Sequence, residues 1–227
     1  VTGCVGFSTG ELEAISIGGT GAVQFSLNAT DYQGPVFSGL PAGDYTITAK
    51  DTESCIGDTS VTIFEPDPIT IPLQTKTDAA CNGTSTGSVT VGAAGGTKPY
   101  TYTLNLPAGT TVTQSSGIFT DLPAGDYTVD VQDTPNCGPI QSNILTIEEP
   151  TSLVVDTVIT DIISCNNASA AIHVTAKGGT PPYQYSYDNG ISYEPSSSKT
   201  GLSAGSYVVL VLDANGCIEP AGTFNFT

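Results

Sequence analysis

Leu40-Pro41-Ala42-Gly43-Asp44-Tyr45 opens a stretch that returns as Leu122-Pro123-Ala124-Gly125-Asp126-Tyr127 and, in altered form, as Leu202-Ser203-Ala204-Gly205-Ser206-Tyr207. After each Tyr the chain alternates, through Tyr45-Thr46-Ile47-Thr48-Ala49, Tyr127-Thr128-Val129-Asp130-Val131 and Tyr207-Val208-Val209-Leu210-Val211. β-Branched residues at a period of two predict a strand with one face in a core. The corner tyrosines are 127 − 45 = 82 and 207 − 127 = 80 residues apart, so 227 residues hold nearly three copies of one small unit.

A Leu, a Gly three residues on and a Tyr two further, at the entrance to a strand near a unit's end, match the tyrosine corner of immunoglobulin-like sandwiches. Tyr45, Tyr127 and Tyr207 are the corner residues on this reading. The expected fold is therefore all-β: three tandem immunoglobulin-like antiparallel β-sandwich domains, at residues 1–66, 67–150 and 151–227, in an extended rod. The junctions Phe64-Glu65-Pro66-Asp67-Pro68 and Glu148-Glu149-Pro150-Thr151 are short and proline-bearing, which predicts stiff links. Repeats two and three begin with an extended segment before their first cysteine, containing Ile69-Thr70-Ile71 and Leu153-Val154-Val155. Repeat one has only Val1-Thr2-Gly3 there, so its first strand is expected to be missing, as in a window cut from a longer array or a processed subunit.

Six cysteines fall two per repeat: Cys4 with Cys55, Cys81 with Cys137, and Cys165 with Cys217. Fifteen pairings exist for six cysteines, and a tandem array whose members each own two favours pairing inside each repeat. A bridge closing some fifty residues would stabilise by roughly 4 kcal/mol, and a unit of about 80 residues, with its thin core, needs such help. Disulfides on this scale imply an oxidising, extracellular compartment.

Five Lys and no Arg stand against 22 Asp plus Glu, a net charge of −17. Such a surface excludes nucleic acid as a partner and repels anionic membranes. No apolar run approaches the ~18 residues that cross a bilayer, so no membrane insertion is expected in this segment. No cysteines stand in C-x-x-C pairs and the sole histidine, His173, sits in an alternating strand, so no metal site is expected. Asp51, Asp133 and Asp213 each lie four residues before a second cysteine. An Asx-type turn accounts for that position without a ligand, and calcium is the one cofactor these acids would admit if further oxygens converged on them. No catalytic constellation is present, and the chain is not expected to be an enzyme.

Between first cysteine and corner, each repeat carries an alternating strand, a Gly-Gly-Thr break (Gly18-Gly19-Thr20, Gly95-Gly96-Thr97, Gly178-Gly179-Thr180) and a second strand rich in aromatics. Asp188-Asn189-Gly190 is a hairpin signal. A tyrosine row can be a sugar platform, and Tyr185 and Tyr193 are the candidates, against a reading as packing residues.

Gly178-Gly179-Thr180-Pro181-Pro182-Tyr183, Leu202 to Tyr207 and Asp213-Ala214-Asn215-Gly216-Cys217 together resemble the SprB-type repeat of the surface adhesins of gliding bacteria. Repeat three fits best, repeat two well, and repeat one loosely. The resemblance implies a cell-surface adhesin or filament, gliding motility and export by the type IX route, with no catalytic or ligand residue. It also makes Thr157, in Asp156-Thr157-Val158, a candidate O-glycan acceptor. Asn28, Asn82, Asn167 and Asn225 stand in N-linked sequons, which matter only in a host with that machinery.

Three functions follow as expectations: an extracellular structural and adhesive array that projects and links; a self-assembling filament subunit with strand exchange between chains; and a carbohydrate-binding module. The expected partners are other copies of the chain, further repeats of the same polypeptide and surface glycans.

Overall fold

The computed structural model describes residues 3–134, 137–162 and 170–227, with 157, 159, 161 and 162 described by backbone alone. The described residues gather into two compact units. One joins Val1–Gln74 to Val91–Gly117 and Thr128–Asn143; the other joins Thr75–Thr90 to Ile118–Tyr127 and Ile144–Thr227. Repeat one thus shares a unit with one part of repeat two, and repeat three with the remainder.

Repeat one contains β1 (Gly10–Glu13), β2 (Gln24–Leu27), β3 (Tyr32–Gln33), β4 (Val36–Leu40), β5 (Gly43–Lys50) and β6 (Ile56–Ile63). β1 pairs with β4, and a second sheet runs β3-β2-β5-β6. Ala14 and Phe37 from the first sheet side meet Phe25 and Ile47 from the second in one core cluster. That is a sandwich built as the alternation dictates: inward residues meet across the layers while Thr46, Thr48 and their kind separate them.

Repeat two contains β7 (Thr70–Thr77), β8 (Gly87–Ala94), β9 (Thr101–Asn105), β10 (Thr111–Gln114), β11 (Ile118–Leu122), β12 (Gly125–Gln132), β13 (Ile140–Gln141) and β14 (Leu145–Ile147). Its sheets run β11-β8-β7 and β10-β9-β12-β13, with β14 also on β12. Repeat three contains β15 (Val154–Ile162), β16 (Ala170–Lys177), β17 (Gln184–Ser186), β18 (Ser198–Leu202), β19 (Gly205–Leu212) and β20 (Ile218–Phe226), in sheets β15-β16-β18 and β17-β19-β20. The strands of β1-β4, β3-β2-β5-β6, β11-β8, β10-β9-β12, β15-β16-β18 and β17-β19-β20, and β13 and β14 on β12, pair antiparallel. The strand after the corner tyrosine is central in all three repeats, which is the immunoglobulin-like plan.

The corner explains itself at atomic scale. Tyr45, Tyr127 and Tyr207 donate their hydroxyls to the carbonyls of Pro41, Pro123 and Ser203 at 2.7, 2.8 and 3.1 Å. Each phenol thereby fixes the bend by which the chain crosses from one sheet to the other. Burial pushes the Tyr127 hydroxyl above its ordinary pKa.

Tyr185, a candidate for the sugar platform, is buried, in line with the alternative reading as a packing residue. It packs with Val209, Val211 and Phe226, because the inward phase of β17 places it and Tyr187 in the core. Tyr193 is half-buried. Asn189 and Gly190 take positive φ (60° and 84°), and Tyr185 and Glu194 exchange backbone hydrogen bonds across the loop, so the Asp188-Asn189-Gly190 segment turns as a hairpin.

Candidate functional site

Three aspartates build the same local device. The Thr20, Thr97 and Thr180 backbone N–H groups donate to Oδ2 of Asp51, Asp133 and Asp213 at 2.9, 2.9 and 2.8 Å. The other carboxylate oxygen accepts the N–H of the cysteine four residues on, Cys55, Cys137 or Cys217, at 2.8, 3.2 and 2.9 Å. One side chain therefore ties the Gly-Gly-Thr break to the second cysteine and sets that cysteine's position. Thr20 first, then Cys55, hold the Asp51 carboxyl below its usual pKa. The Asx-type turn is thus the visible role of these acids, their oxygens facing amide hydrogens. Among the described residues no group of three or more His, Cys, Asp or Glu converges as metal ligands would.

The glycines before Thr97 and Thr180 are dictated by close approach. A Cβ on Gly95 would lie 2.1 Å from the Pro68 carbonyl oxygen, and one on Gly178 would lie 2.0 Å from that of Ser152. Both residues have positive φ as well (77° and 73°). The entering strand of the repeat can press on the break only because no side chain is there.

The first cysteine stands at the other end of the repeat. In repeat one, Gly3 N–H donates to Thr9 Oγ1 at 2.7 Å, and Gly6 N–H donates to Glu65. In repeat two, Ala80 N–H donates to Thr86 Oγ1 at 2.7 Å, and the Glu149 carboxylate takes Gly83 N–H at 2.6 Å and the Asn82 amide at 3.0 Å. Glu65 and Glu149, each just before the junction proline, thus fasten the first-cysteine loop to the exit of the same repeat. The sequence reading missed both, though their identical place before Pro66 and Pro150 was a usable signal.

The sulfurs pair between repeats. Cys4 bonds Cys137 and Cys81 bonds Cys217, with Cα–Cα distances of 5.3 and 5.7 Å. This corrects the expected pairing inside each repeat. Cys55, expected to pair with Cys4, is a free, exposed thiol. Cys165 lies outside the described residues. The physical reason is strand length. In repeat one Cys4 sits where β5 begins and β6 ends, whereas Cys55 sits where β5 ends and β6 begins. The two strands pair over eight residues from Gly43↔Ile63 to Lys50↔Ile56. Eight residues of strand span about 26 Å, far beyond the ~7 Å between Cα atoms that a disulfide tolerates.

At the second bridge Asn215 adds its amide, donating to the Ala80 carbonyl at 2.9 Å and to Thr180 Oγ1 at 3.1 Å. Each bridge closes a loop of 133 or 136 residues. In the chain-entropy model such a closure stabilises by about 5 kcal/mol. Thr157 lies on β15 opposite Thr175, its side chain outside the described set.

Two segments, residues 73–109 and 157–191, match the family model of the SprB repeat. No curated protein matches the chain significantly. Among solved structures, the three N-terminal domains of the bacteriophage RB49 highly immunogenic outer capsid protein (Hoc) are 11% identical, covering 96% of this chain and 95% of that one, with a TM-score of 0.44. Sidekick-1 immunoglobulin domains 1–5 are 10% identical over 91% of this chain and 51% of that one, with a TM-score of 0.36. A tetra-tandem repeat in the extending region of a large adhesion protein is 13% identical over 90% of this chain and 66% of that one, with a TM-score of 0.25. The second and third repeats of this chain thus each contain a segment that matches the SprB repeat, and each contributes a cysteine to a bridge with its predecessor.

Proposed function

We propose that the chain is a structural, adhesive repeat segment of a bacterial cell-surface protein, exported by the type IX route of gliding bacteria, which links and projects and carries out no reaction. The observation that carries this reading is the pairing of sulfurs between successive repeats, the second and third of which contain segments that match the SprB repeat. A load-bearing series gains a second covalent path from such bridges. The bridges also favour an oxidising exterior, and the −17 net charge suits a hydrated surface that stays clear of anionic lipid.

The test is antibody raised against the folded chain and applied to intact source cells. Labelling without permeabilisation, lost after protease shaving, is expected. Labelling confined to permeabilised cells would overturn the surface role.

A further inference from the structure

Repeat three breaks a core position that the other two repeats keep. Phe37 on β4 stands opposite Leu12, and Phe119 on β11 stands opposite Val89, each only 4% exposed. The same place on β18, opposite the fully buried Ile172, is Lys199. A facing position changes as well. Two residues beyond the inward Phe25 and Tyr102 come Leu27 and Leu104, whereas two beyond Tyr185 comes Tyr187. An ammonium group is not left in an apolar core, so a lysine here buries its stem and keeps its head at the water. The head pairs with Glu194 Oε1 at 3.0 Å and lies 5.9 Å from the centre of the Tyr187 ring.

Where phenylalanine fills the other repeats, repeat three has a cavity of about 160 Å³ walled by Tyr185, Asp188, Glu194, Lys199, Leu202 and Tyr207. The half-exposed Lys199–Glu194 pair stands at its mouth. Pockets for drug-sized ligands run to about 300–1,000 Å³, so this one has room for a single ring.

The polar groups of the cavity are not all spent on the protein. The Tyr183 and Tyr187 hydroxyls donate to the Gly178 and Ser196 carbonyls at 2.6 and 3.2 Å. Among the described residues the Tyr185 hydroxyl has no such partner, although the residue is only 7% exposed. Burial raises its pKa, so it stays neutral and can both give and take a hydrogen bond. Lys199 gives one N–H to Glu194 Oε1 and has two more to offer. Asp188 is fixed in the wall by Ser186 Oγ and by the Ser192 N–H and hydroxyl. Leu202 and the Tyr187 and Tyr207 rings supply the apolar side.

A ring with hydroxyls on its edge and C–H groups on its face matches this set. A hydroxyl set between Lys199 and Glu194 accepts from one and donates to the other, and two carboxylates against one ammonium disfavour an acidic sugar. We propose that the cavity of repeat three binds the terminal pyranose of a neutral glycan, with Tyr185, Glu194 and Lys199 as its hydrogen-bonding groups. Repeats one and two, with Phe37 and Phe119 in that place, are closed to it. The site gives the adhesive role proposed above a ligand and rests on that reading; binding is read on purified chain and surface position on cells, so either can fail without the other.

The experiment is saturation-transfer NMR on the full, oxidised chain, with the methyl glycosides of glucose, galactose and mannose as probes and that of glucuronic acid as the acidic control. Saturable, millimolar binding of at least one neutral glycoside is expected, with the glucuronide at least tenfold weaker. Lys199→Phe restores the residue of the other repeats and fills the cavity, so the fold is kept while binding should fall at least tenfold. Tyr185→Phe removes one hydroxyl and keeps the ring, and should weaken binding at least threefold. Failure of all three neutral glycosides to bind, binding that Lys199→Phe leaves unchanged, or preference for the glucuronide would overturn the proposal.

Discussion

The two bridges make a definite mechanical prediction. Cys4 joined to Cys137 forms one node and Cys81 joined to Cys217 another. Three chain segments then run in parallel between the nodes, of 81 − 4 = 77, 137 − 81 = 56 and 217 − 137 = 80 residues. Under tension the shortest becomes taut first. With about 3.5 Å per extended residue, the fully unfolded chain between the nodes is limited to about 200 Å, against about 750 Å for the 217 − 4 = 213 residues released on reduction. Single-molecule force spectroscopy, with the chain held by its ends, reads both limits. Removing the first bridge by Cys4→Ser leaves the 77-residue segment as the shortest path and should lengthen the oxidised limit by about 75 Å. Cys55→Ser should change nothing. A bridge from Cys4 to Cys55 would instead release 55 − 4 = 51 residues in that variant, about 180 Å. Such a lengthening, or no response to Cys4→Ser, refutes the connectivity.

Three further outcomes are expected. In folded, unreduced protein iodoacetamide should modify Cys55, with Cys4, Cys81, Cys137 and Cys217 reacting only after reduction; peptide mapping checks this, and an unlabelled Cys55 contradicts it. Asp213→Ala should strip the Thr180, Asn215 and Cys217 N–H groups of their acceptor and destabilise repeat three by about 3 kcal/mol, with Asp213→Asn costing less, in thermal or urea unfolding. Ser192, then Ser186, hold the Asp188 carboxyl down to a pKa of about 2. Because the folded value is depressed, its contribution is complete above the ordinary 3.8 and is lost as pH falls through about 2, a slope that Asp188→Asn should abolish. A carboxyl ¹³C titration with its midpoint near 3.8 would contradict this.

The corner strands and sheet classes were legible in the sequence because their signals are local: a period of two, a Leu-x-x-Gly-x-Tyr entrance, a Gly-Gly break. The sulfur pairing was not, because counting cysteines per repeat ignores which end each occupies. The clue was nonetheless present. A full strand separates Cys4 from Gly18-Gly19-Thr20, and Asp51 ties that break to Cys55, so the two sulfurs belong to opposite ends. The two readings of Tyr185 stayed open for a related reason, since alternation alone leaves open which phase of Tyr183-Gln184-Tyr185-Ser186-Tyr187 faces inward. That phase is set by Val209 and Val211 on the neighbouring strand β19.

A bridge between repeats also changes what stabilises each one. While repeat two is folded, the Cys4–Cys137 bond and the continuous chain at Pro66 together anchor both ends of repeat one, closing about 60 residues and stabilising that repeat by about 4 kcal/mol. If repeat two unfolds, the same bond no longer closes a short loop and most of that contribution is gone. Stability is therefore passed from one repeat to the next through sulfur, without requiring a shared core. Val129→Ala, which removes methyls from a fully buried site in repeat two, should lower its stability by about 2–3 kcal/mol. In the oxidised chain it should also reduce hydrogen-exchange protection of the β5 amides in repeat one, and in the reduced chain it should leave them alone. Equal β5 protection in oxidised wild-type and variant chains would mean that each repeat stands by itself and that the bridges serve only as tethers.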